Sequence, residues 1–273
     1  MSTFLCPLCS GPLETQGHSL RCPMGHCFDL AADGYVNLLP VDQKHSLQPG
    51  DDRQMVAGRA AFLSKGYYSP LQQALAQLCI EYSGPTPVLL DSGCGEGYYT
   101  QGIYKALYRN GKNASVLGID ISKFAVKRAA RRLPHGEFAV ASAYHMPLPD
   151  CCADLLLNCF SPLALEEFFR VLRPGGLFLY VVPAARHLWE LKQVLYDVPY
   201  PNEEKLTPYP GFCYQEVRSV EGRLSLTDPQ DIQALFQMTP YAWKTPRAGR
   251  ERLMKLQRLD TEIAFHIHVF TKQ

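Results

Sequence analysis

The chain has 273 residues, of which 47% are hydrophobic and 19% charged, and this composition predicts one large globular domain with a small appendage. Its formal net charge is only +1, which excludes a polycation that binds nucleic acid over its whole surface. The sequence shows no apolar signal core at its start and no run of the ~18 apolar residues that a membrane span needs. We therefore expect a cytoplasmic protein without a membrane partner.

Four potential metal ligands lie near the start of the chain. Cys6 and Cys9 form a C-x2-C pair, and Cys22 forms a second pair with either His26 or Cys27. This spacing is typical of zinc sites, in which the metal replaces the hydrophobic core that a short segment cannot build. We favour His26 over Cys27 as the fourth ligand. Disulfides or free buried thiols are the alternative, which is less favoured because nothing else in the chain indicates secretion.

The residues after these ligands predict the end of a small module and a linker. Short apolar pieces, broken at Asp33-Gly34, predict a small sheet or hairpin that completes a zinc-binding module over residues 1–40. The polar stretch over residues 41–52 predicts a linker.

Two helices are predicted before the large domain. Asp52 can cap a helix that runs to Gly66, and Pro70 lies in the first turn of a second helix that ends before Gly84. Residues 41–87 therefore predict a linker followed by N-terminal helices.

From Val88 onward, apolar strand patterns alternate with helical patterns. The predicted strands cover residues 88–92, 115–120, 137–142, 154–160, 177–183, 223–227 and 264–270. The predicted helices between the earlier strands cover residues 98–108, 123–132 and 164–171. Near-continuous apolar strands separated by helices indicate a parallel sheet covered on both faces. Residues 88–273 thus predict a doubly wound α/β domain with a mostly parallel, seven-stranded sheet, whose last strand we expect to run antiparallel at the edge.

The loop after the first of these strands has the composition of a ligand-binding turn. The strand ends at Asp91, and a G-x-G-x-G loop with Gly93, Gly95 and Gly97 leads directly into a helix. Glycines permit a sharp turn and a close approach of the ligand to the backbone. A dinucleotide site would have G-x-G-x-x-G, but the residue three after Gly95 is Tyr98. The loop therefore favours S-adenosylmethionine over NAD.

Asp120 closes the next predicted strand, where S-adenosylmethionine needs an acid for its ribose hydroxyls. The alternative is that Asp120 merely ends the strand while Ser122 caps the following helix. The order of strand, loop, helix and acid predicts a cofactor site that includes Asp91, the three glycines of the loop and Asp120.

Further sequence stretches, together with this pattern, resemble those of a known protein family. With HMPLPDCCADLLLN and EFFRVLRPGGLFLYVV, the second half resembles a class I S-adenosylmethionine-dependent methyltransferase. With CPLC, CPMGH, GYVNLLP, the F-L-x2-G-x-Y segment around Tyr68 and ARHLWELK, the whole chain resembles the bacterial 23S ribosomal RNA guanine-N1 methyltransferases. The methyltransferase motifs serve many chemistries, whereas the fused metal module is more specific.

The resemblance implies a set of ligands and a reaction. It implies zinc on Cys6, Cys9, Cys22 and His26, and cofactor contacts from Tyr68, Gly95, Glu96 and His187. Without it, Tyr68 would be interpreted as a packing aromatic and His187 as a surface or helix-start histidine. It also implies that a homodimer methylates N1 of a guanine in a hairpin loop of 23S rRNA.

Guanine N1 carries a proton that must leave before or during methyl transfer, so a base or an orienting group is expected near the target. Candidates at the ends of the fourth and fifth strands are Asn158, Ser161 and His187, with Asn158 and His187 preferred. Asn158 could instead satisfy backbone groups at a strand end. Phe160 could stack on a flipped guanine or pack in the core.

Two basic groups are candidates for RNA contact, although charged helix faces are usually only solvated. The first group contains Lys127, Arg128, Arg131 and Arg132, and the second contains Lys244, Arg247, Arg250, Arg252, Lys255 and Arg258. Two other functions compete with rRNA methylation. One is methylation of tRNA, a protein or a small molecule, and the other is a non-catalytic role in RNA binding or ribosome assembly.

Overall fold

The computed structural model describes residues 2–43, 49–204 and 208–273. Positions 44–48 of the predicted linker lie outside these residues, and Val41–Gln43 form a short 3-10 helix. Gly50 has a φ of +77°, and a Cβ added there would lie 2.8 Å from the side chain of Ile121. The described end of the linker therefore packs closely against the segment that follows Asp120.

A three-stranded antiparallel sheet forms the centre of the N-terminal module. Its strands are β1 (Glu14–Gln16), β2 (Ser19–Arg21) and β3 (Cys27–Asp29), in that order. Strand β4 (Tyr35–Asn37) does not belong to this sheet. The stretch that was predicted to complete the metal module is thus divided between two sheets.

Helices α1 and α2 form largely as the sequence predicts. Asp52 caps α1 (Arg53–Ser64), where its carboxylate accepts a 2.9 Å hydrogen bond from the Met55 N–H. Helix α2 (Ser69–Tyr82) has a proline in its first turn, which needs no N–H there. Gly66 makes the turn between the two helices with a φ of +79°.

Among the described residues, the large sheet contains eight strands, seven of which belong to the predicted α/β domain. These seven are β5 (Val88–Ser92), β6 (Ser115–Asp120), β7 (Glu137–Val140), β8 (Ala153–Cys159), β9 (Leu172–Pro183), β10 (Phe212–Leu226) and β11 (Leu259–Lys272). The helices of this part are α3 (Tyr98–Arg109), α4 (Lys123–Arg132), α5 (Leu165–Val171), α6 (Trp189–Leu195), α7 (Pro229–Gln237), α8 (Tyr241–Lys244) and α9 (Arg247–Met254).

The strand order is β10-β11-β9-β8-β5-β6-β7-β4, and β11 alone among these runs antiparallel to both of its neighbours. The prediction that the last strand runs antiparallel is confirmed, but its predicted place at the edge is wrong. Strand β10 is much longer than the predicted 223–227 and forms the edge, because it pairs along β11 from Phe212 to Leu226. At the other edge, β4 of the N-terminal segment adds an eighth strand, parallel to β7.

Two hydrophobic clusters cover the two faces of the sheet. One includes buried residues of α1, α2, α3 and α4. The other joins Phe4, Leu13 and Leu20 of the N-terminal module to sheet residues such as Leu117 and Phe178. The small module therefore shares its apolar packing with the large domain and does not form a core of its own.

Within the described ranges, we find no helix that combines the length and the apolar character needed to cross a membrane.

Candidate functional site

Four metal-ligand side chains converge in the N-terminal module. The ligand atoms of Cys6, Cys9, Cys22 and His26 all lie within 4.8 Å of one another. The Cys9 and Cys22 sulfurs are 3.6 Å apart, and Nδ1 of His26 lies 3.4 Å from the Cys6 sulfur and 3.3 Å from the Cys22 sulfur. Tetrahedral zinc with bonds of about 2.0–2.3 Å separates its ligands by about 3.5–3.8 Å. The four side chains therefore fit zinc.

The local backbone explains why His26 and not Cys27 joins the cluster. The Cys22 N–H donates to the His26 carbonyl, and the Gly25 N–H donates to the Cys22 carbonyl, so the chain forms a tight turn with Gly25 at a φ of +86°. Cys27 follows this turn as the first residue of β3, with its side chain exposed. Because β3 is extended, Cys27 is directed away from the turn that presents His26.

Polar contacts fasten the module to the large sheet. The carboxylate of Glu137, in β7, accepts hydrogen bonds from the Ser2 hydroxyl at 2.6 Å and from the Thr3 hydroxyl at 2.7 Å. The Leu5 N–H donates to the Pro147 carbonyl at 2.8 Å. The zinc-ligand segment is thus attached to the large domain on its N-terminal side as well as through β4.

The glycine loop lies at the carboxyl end of β5. Gly93, Gly95 and Gly97 have φ angles of +84°, +54° and +82°. A Cβ added at Gly93 would lie 2.4 Å from Ser161, and one added at Gly97 would lie 3.0 Å from the Ala129 backbone. At Gly95, in contrast, the nearest atom to an added Cβ is the Arg59 guanidinium, at 4.0 Å. The outer two glycines are therefore required by packing, whereas Gly95 borders open space that a ligand can occupy.

Asp120 connects the end of β6 to this loop. One carboxylate oxygen accepts from the Gly95 N–H at 2.9 Å, and the other accepts from the Ser122 N–H at 2.8 Å. The Ser122 hydroxyl caps α4, as one of the two interpretations of this strand end expected. Burial raises the pKa of Asp120 above its usual range. Because Asp120 also lies beside Gly95, the structure is compatible with the other interpretation, in which Asp120 binds the ribose hydroxyls of the cofactor.

Asp91 and Glu96 each keep an oxygen without a partner in the described residues. Asp91 accepts from the Thr100 hydroxyl at 2.5 Å, and burial raises its pKa to about 7. Glu96 forms an ion pair with Arg132 through one oxygen, and burial raises its pKa despite that neighbour. Asp91 Oδ1 and Glu96 Oε1 are buried and unpartnered. Such atoms beside an open cradle are what a polar cofactor would satisfy.

Tyr68 and His187 are both buried and meet beside Phe265, and the Tyr68 ring packs in the core, as the interpretation without the resemblance expects. The Tyr68 hydroxyl lies 3.4 Å from His187 Nε2, and the Ala264 N–H donates to His187 Nδ1 at 3.3 Å. Since Nδ1 accepts, the proton of the neutral imidazole is on Nε2 and is directed at Tyr68. Burial lowers the pKa of His187 to about 3. His187 is thus a buried, neutral hydrogen-bonding group and not a surface histidine, although it lies just before α6, as the helix-start interpretation expects.

Asn158 lies at the end of β8 and holds the following turn. Its amide nitrogen donates to the Ser161 hydroxyl at 2.6 Å and to the Pro162 carbonyl at 3.0 Å, and the Ser161 hydroxyl donates to the Ser92 carbonyl. Asn158 Oδ1 is buried without a partner in the described residues. Phe160 has a φ of +55° and is 47% exposed, so it is not a core residue. Asn158 therefore satisfies a backbone carbonyl after the strand end, as the alternative interpretation expects, and its Oδ1 has no partner in the described residues.

Two side chains at this site were not anticipated from the sequence. Arg59 of α1 forms an ion pair with Asp51 and lies beside Gly95. The Tyr99 hydroxyl, on the first turn of α3, is buried without a partner in the described residues. Arg59 lies outside the predicted motifs, and Tyr99 follows the last glycine of the loop by two residues without a role that its sequence position could indicate.

Comparisons with known proteins follow the same division of the chain. The RlmA N-terminal zinc-ribbon family matches residues 4–47, and a methyltransferase domain family matches residues 85–237. The solved structure of the YcgJ protein from Bacillus subtilis matches with a TM-score of 0.51 and 16% identity, over 74% of this chain and 99% of that chain. At this identity the match shows the fold alone. Fold, loop and metal ligands together define a class I S-adenosylmethionine-dependent methyltransferase with an N-terminal zinc ribbon.

Named relatives identify the family of methyltransferases within this class. YxjB of Bacillus subtilis, provisionally named a 23S rRNA (guanine-N(1)-)-methyltransferase, is 34% identical over 99% of this chain and 98% of its own length. The 23S rRNA (guanine(748)-N(1))-methyltransferase of Streptomyces fradiae is 40% identical over 70% of this chain and 66% of its own length. The chain belongs to the family of 23S rRNA guanine-N1 methyltransferases.

The zinc centre yields a first prediction. Cys9→Ala removes one of four converging ligands, so the purified protein should lose most of its zinc, while cofactor affinity stays close to the parental value because the glycine loop is remote in sequence and built on another sheet. Elemental analysis measures zinc per chain, and calorimetry measures cofactor affinity. Cys27→Ala, the matched control, should keep about one zinc per chain. A Cys27→Ala protein without zinc would contradict the ligand set.

The buried histidine yields a second prediction. Because the pKa of His187 is about 3 in the folded chain and about 6.5 when unfolded, only the unfolded state takes up this proton between these values, and stability is lost as pH falls below about 6.5. From pH ~7.5 to ~5.5, the parent should lose about 1.4 kcal/mol more unfolding free energy than His187→Gln. Urea denaturation at both pH values measures this difference.

The exposed His18 offers the matched control substitution, His18→Gln, which is measured at the same two pH values. Equal pH dependence in the parent and in His187→Gln would show that the imidazole of His187 is not held neutral by burial.

Proposed function

We propose that this protein transfers a methyl group from S-adenosylmethionine to N1 of a guanine in a hairpin loop of 23S rRNA. The observation that carries the proposal is the combination, in one chain, of a zinc ribbon that is packed on a methyltransferase sheet and an open cradle at Gly95. A methyltransferase that acts on a small molecule has no need of the ribbon. The relative that matches 99% of this chain, and so both parts, is provisionally named for methylation of 23S rRNA at guanine N1.

The cofactor is proposed to lie over the glycine loop. In this arrangement, Gly95 supplies the close approach, and Asp120 accepts hydrogen bonds from the ribose hydroxyls. Asp91, Gly93, Glu96 and Gly97 form the floor and wall of the cradle, and Tyr68 and His187 close its other side. The unpartnered oxygens of Asp91 and Glu96 support this assignment, because a bound polar ligand would provide their missing donors.

The reaction requires alignment more than covalent chemistry from the protein. The sulfonium of bound S-adenosylmethionine supplies an activated methyl group, and the chain must hold guanine N1 in line with it. Asn158 cannot take up the N1 proton, and His187 with a pKa of about 3 is a poor base at neutral pH. We therefore assign both residues to positioning, and the N1 proton is released to solvent water. Asn158 is fully buried and holds the turn that carries Phe160, and exposed Phe160 is available to stack on the base.

The organisation of the chain forms part of the proposal. Residues 1–40 recognise RNA through the zinc ribbon, residues 41–87 link it to the catalytic part, and residues 88–273 form the methyltransferase domain. We propose a homodimer, which the family resemblance supports, and a cytoplasmic location, where the rRNA substrate is found.

Removal of the carboxylate at Asp120 tests the cofactor site. Asp120→Asn keeps one acceptor oxygen for the loop but removes the charge, so S-adenosylmethionine binding should weaken by roughly 1.5–3 kcal/mol without loss of the fold. Calorimetry measures the affinity and circular dichroism measures the fold. Asp260→Asn, at an exposed carboxylate paired with Arg258, is the control and should bind like the parent. Parental affinity in folded Asp120→Asn would reject Asp120 as the ribose ligand.

The substrate is tested on rRNA from cells. Methylation at N1 blocks the pairing edge of guanine, so reverse transcription should stop one nucleotide before the modified base in rRNA from the parent strain. The stop should be absent from rRNA of a deletion strain and should return with the parental gene but not with a gene encoding Asp120→Asn. A 23S rRNA that shows no altered stop and no mass difference between the strains would contradict the proposed substrate.

A further inference from the structure

We propose that a basic cleft beside the cofactor loop binds backbone phosphates of the RNA next to the methylated guanine, an inference that rests on the proposed function. The basic cleft has a volume of about 660 Å³ and lies between the start of α1 and the outer face of α4. It is lined by Arg53, Glu96, Phe124, Lys127, Arg128, Arg131 and Arg132. The sequence suggests the four basic residues of α4 as a candidate, and the structure adds Arg53 and the cleft itself.

The cations of the basic cleft are only partly neutralised. Glu96 pairs with Arg132, and Asp33 pairs with both Lys127 and Arg131. Within the described ranges, Arg53 and Arg128 have no ion-pair partner and are exposed. The cleft therefore keeps an excess of positive charge in a chain whose net charge is only +1. Phosphate is the anion that such an array of guanidinium groups suits, because each can donate two parallel hydrogen bonds.

Helix stability alone does not account for this arrangement. Helix α4 carries cations at Lys127 and Arg131, and at Arg128 and Arg132, so that like charges are spaced four residues apart, and its sequence KFAVKRAARR contains no acid. Such spacing destabilises an isolated helix. Asp33 offsets it for Lys127 and Arg131, and Glu96 offsets it for Arg132, but within the described ranges Arg128 has no such partner. A phosphate in the cleft would supply the missing counter-charge at Arg128.

The position of the basic cleft fits a substrate that reaches the cofactor. Arg132 donates to the Glu96 carbonyl at 3.2 Å as well as to its carboxylate, and Glu96 directly follows Gly95. The wall of the cleft is thus one residue from the glycine that borders the open cradle. A nucleotide at the cradle would place neighbouring phosphates within reach of the cleft. Base-independent phosphate contacts of this kind fix the register of the RNA.

The guanidinium of Arg53 is already held in place for such a contact. It lies over the Phe124 ring, 5.4 Å from the ring centroid, which restricts the side chain without neutralising its charge. Helix α1 follows the linker, and α4 follows the strand that ends at Asp120. The cleft therefore joins a cation from the N-terminal helices to the cations of the methyltransferase domain.

The test removes the two unpaired charges together. Arg53→Gln/Arg128→Gln should weaken binding of a 23S rRNA hairpin transcript roughly tenfold at ~0.15 M salt and should lower the slope of log K against log salt by about 1.4. The loss should appear mainly in the KM for RNA. Binding of S-adenosylmethionine, measured by calorimetry, should stay within about twofold of the parent, which shows that the variant is folded.

The control removes the same charge from two exposed residues of α3. Lys105→Gln/Arg109→Gln lies outside the cleft and should keep the parental RNA affinity and salt slope. If Arg53→Gln/Arg128→Gln keeps the parental RNA affinity and salt slope while the parent methylates RNA, the phosphate assignment is overturned and the proposed function stands. The same result is expected if the cleft binds an acidic protein instead of RNA. An equal loss in both double variants would also overturn the phosphate assignment. A parent that neither binds nor methylates the rRNA would overturn the proposed function and this inference with it.

Discussion

A segment of about 30 residues cannot bury enough apolar surface to fold alone, and this constraint governs how the ribbon is built. Metal ligation closes its two turns at Cys6–Cys9 and Cys22–His26. Its few apolar side chains, such as Phe4 and Leu13, are buried in a cluster that belongs mostly to the large sheet. Metal and docking therefore replace the missing core, and the ribbon is fixed relative to the methyltransferase domain.

That docking also shapes the catalytic domain. Strand β4 covers the edge of β7, which would otherwise expose unpaired backbone groups. Next to it, Asp33 binds two cations of α4, and its neighbours there hold the pKa of its carboxyl below the usual range. The N-terminal segment thus contributes a strand to the sheet and an anion to the helix beside the cofactor loop. A mutation in the ribbon that leaves these contacts intact can remove zinc without dismantling the cradle.

Features encoded by short-range patterns were predictable from the sequence, whereas those created by tertiary packing were not. The paired cysteine spacing, the glycine loop and the caps at Asp52 and Ser122 depend on neighbours a few residues away, and each forms as predicted. The edge position of β10 and the pairing of β4 with β7 depend on contacts across more than 30 residues, which no local pattern encodes. For the same reason, the burial of His187 and the approach of Arg59 to Gly95 became evident only in three dimensions.

Glu96 is where the proposed cofactor and phosphate sites meet. Its backbone belongs to the glycine loop, its carboxylate pairs with Arg132, and its second oxygen has no partner in the described residues. Any change at Glu96 would alter the cradle and the basic cleft at once, so its effects could not be assigned to either site. The effects of the two sites can be separated by substitutions at residues that belong to one site only. These are Asp120 for the cofactor site, and Arg53 and Arg128 for the basic cleft. Cofactor affinity and RNA affinity should therefore respond independently to changes there, although a single residue separates the walls of the two sites.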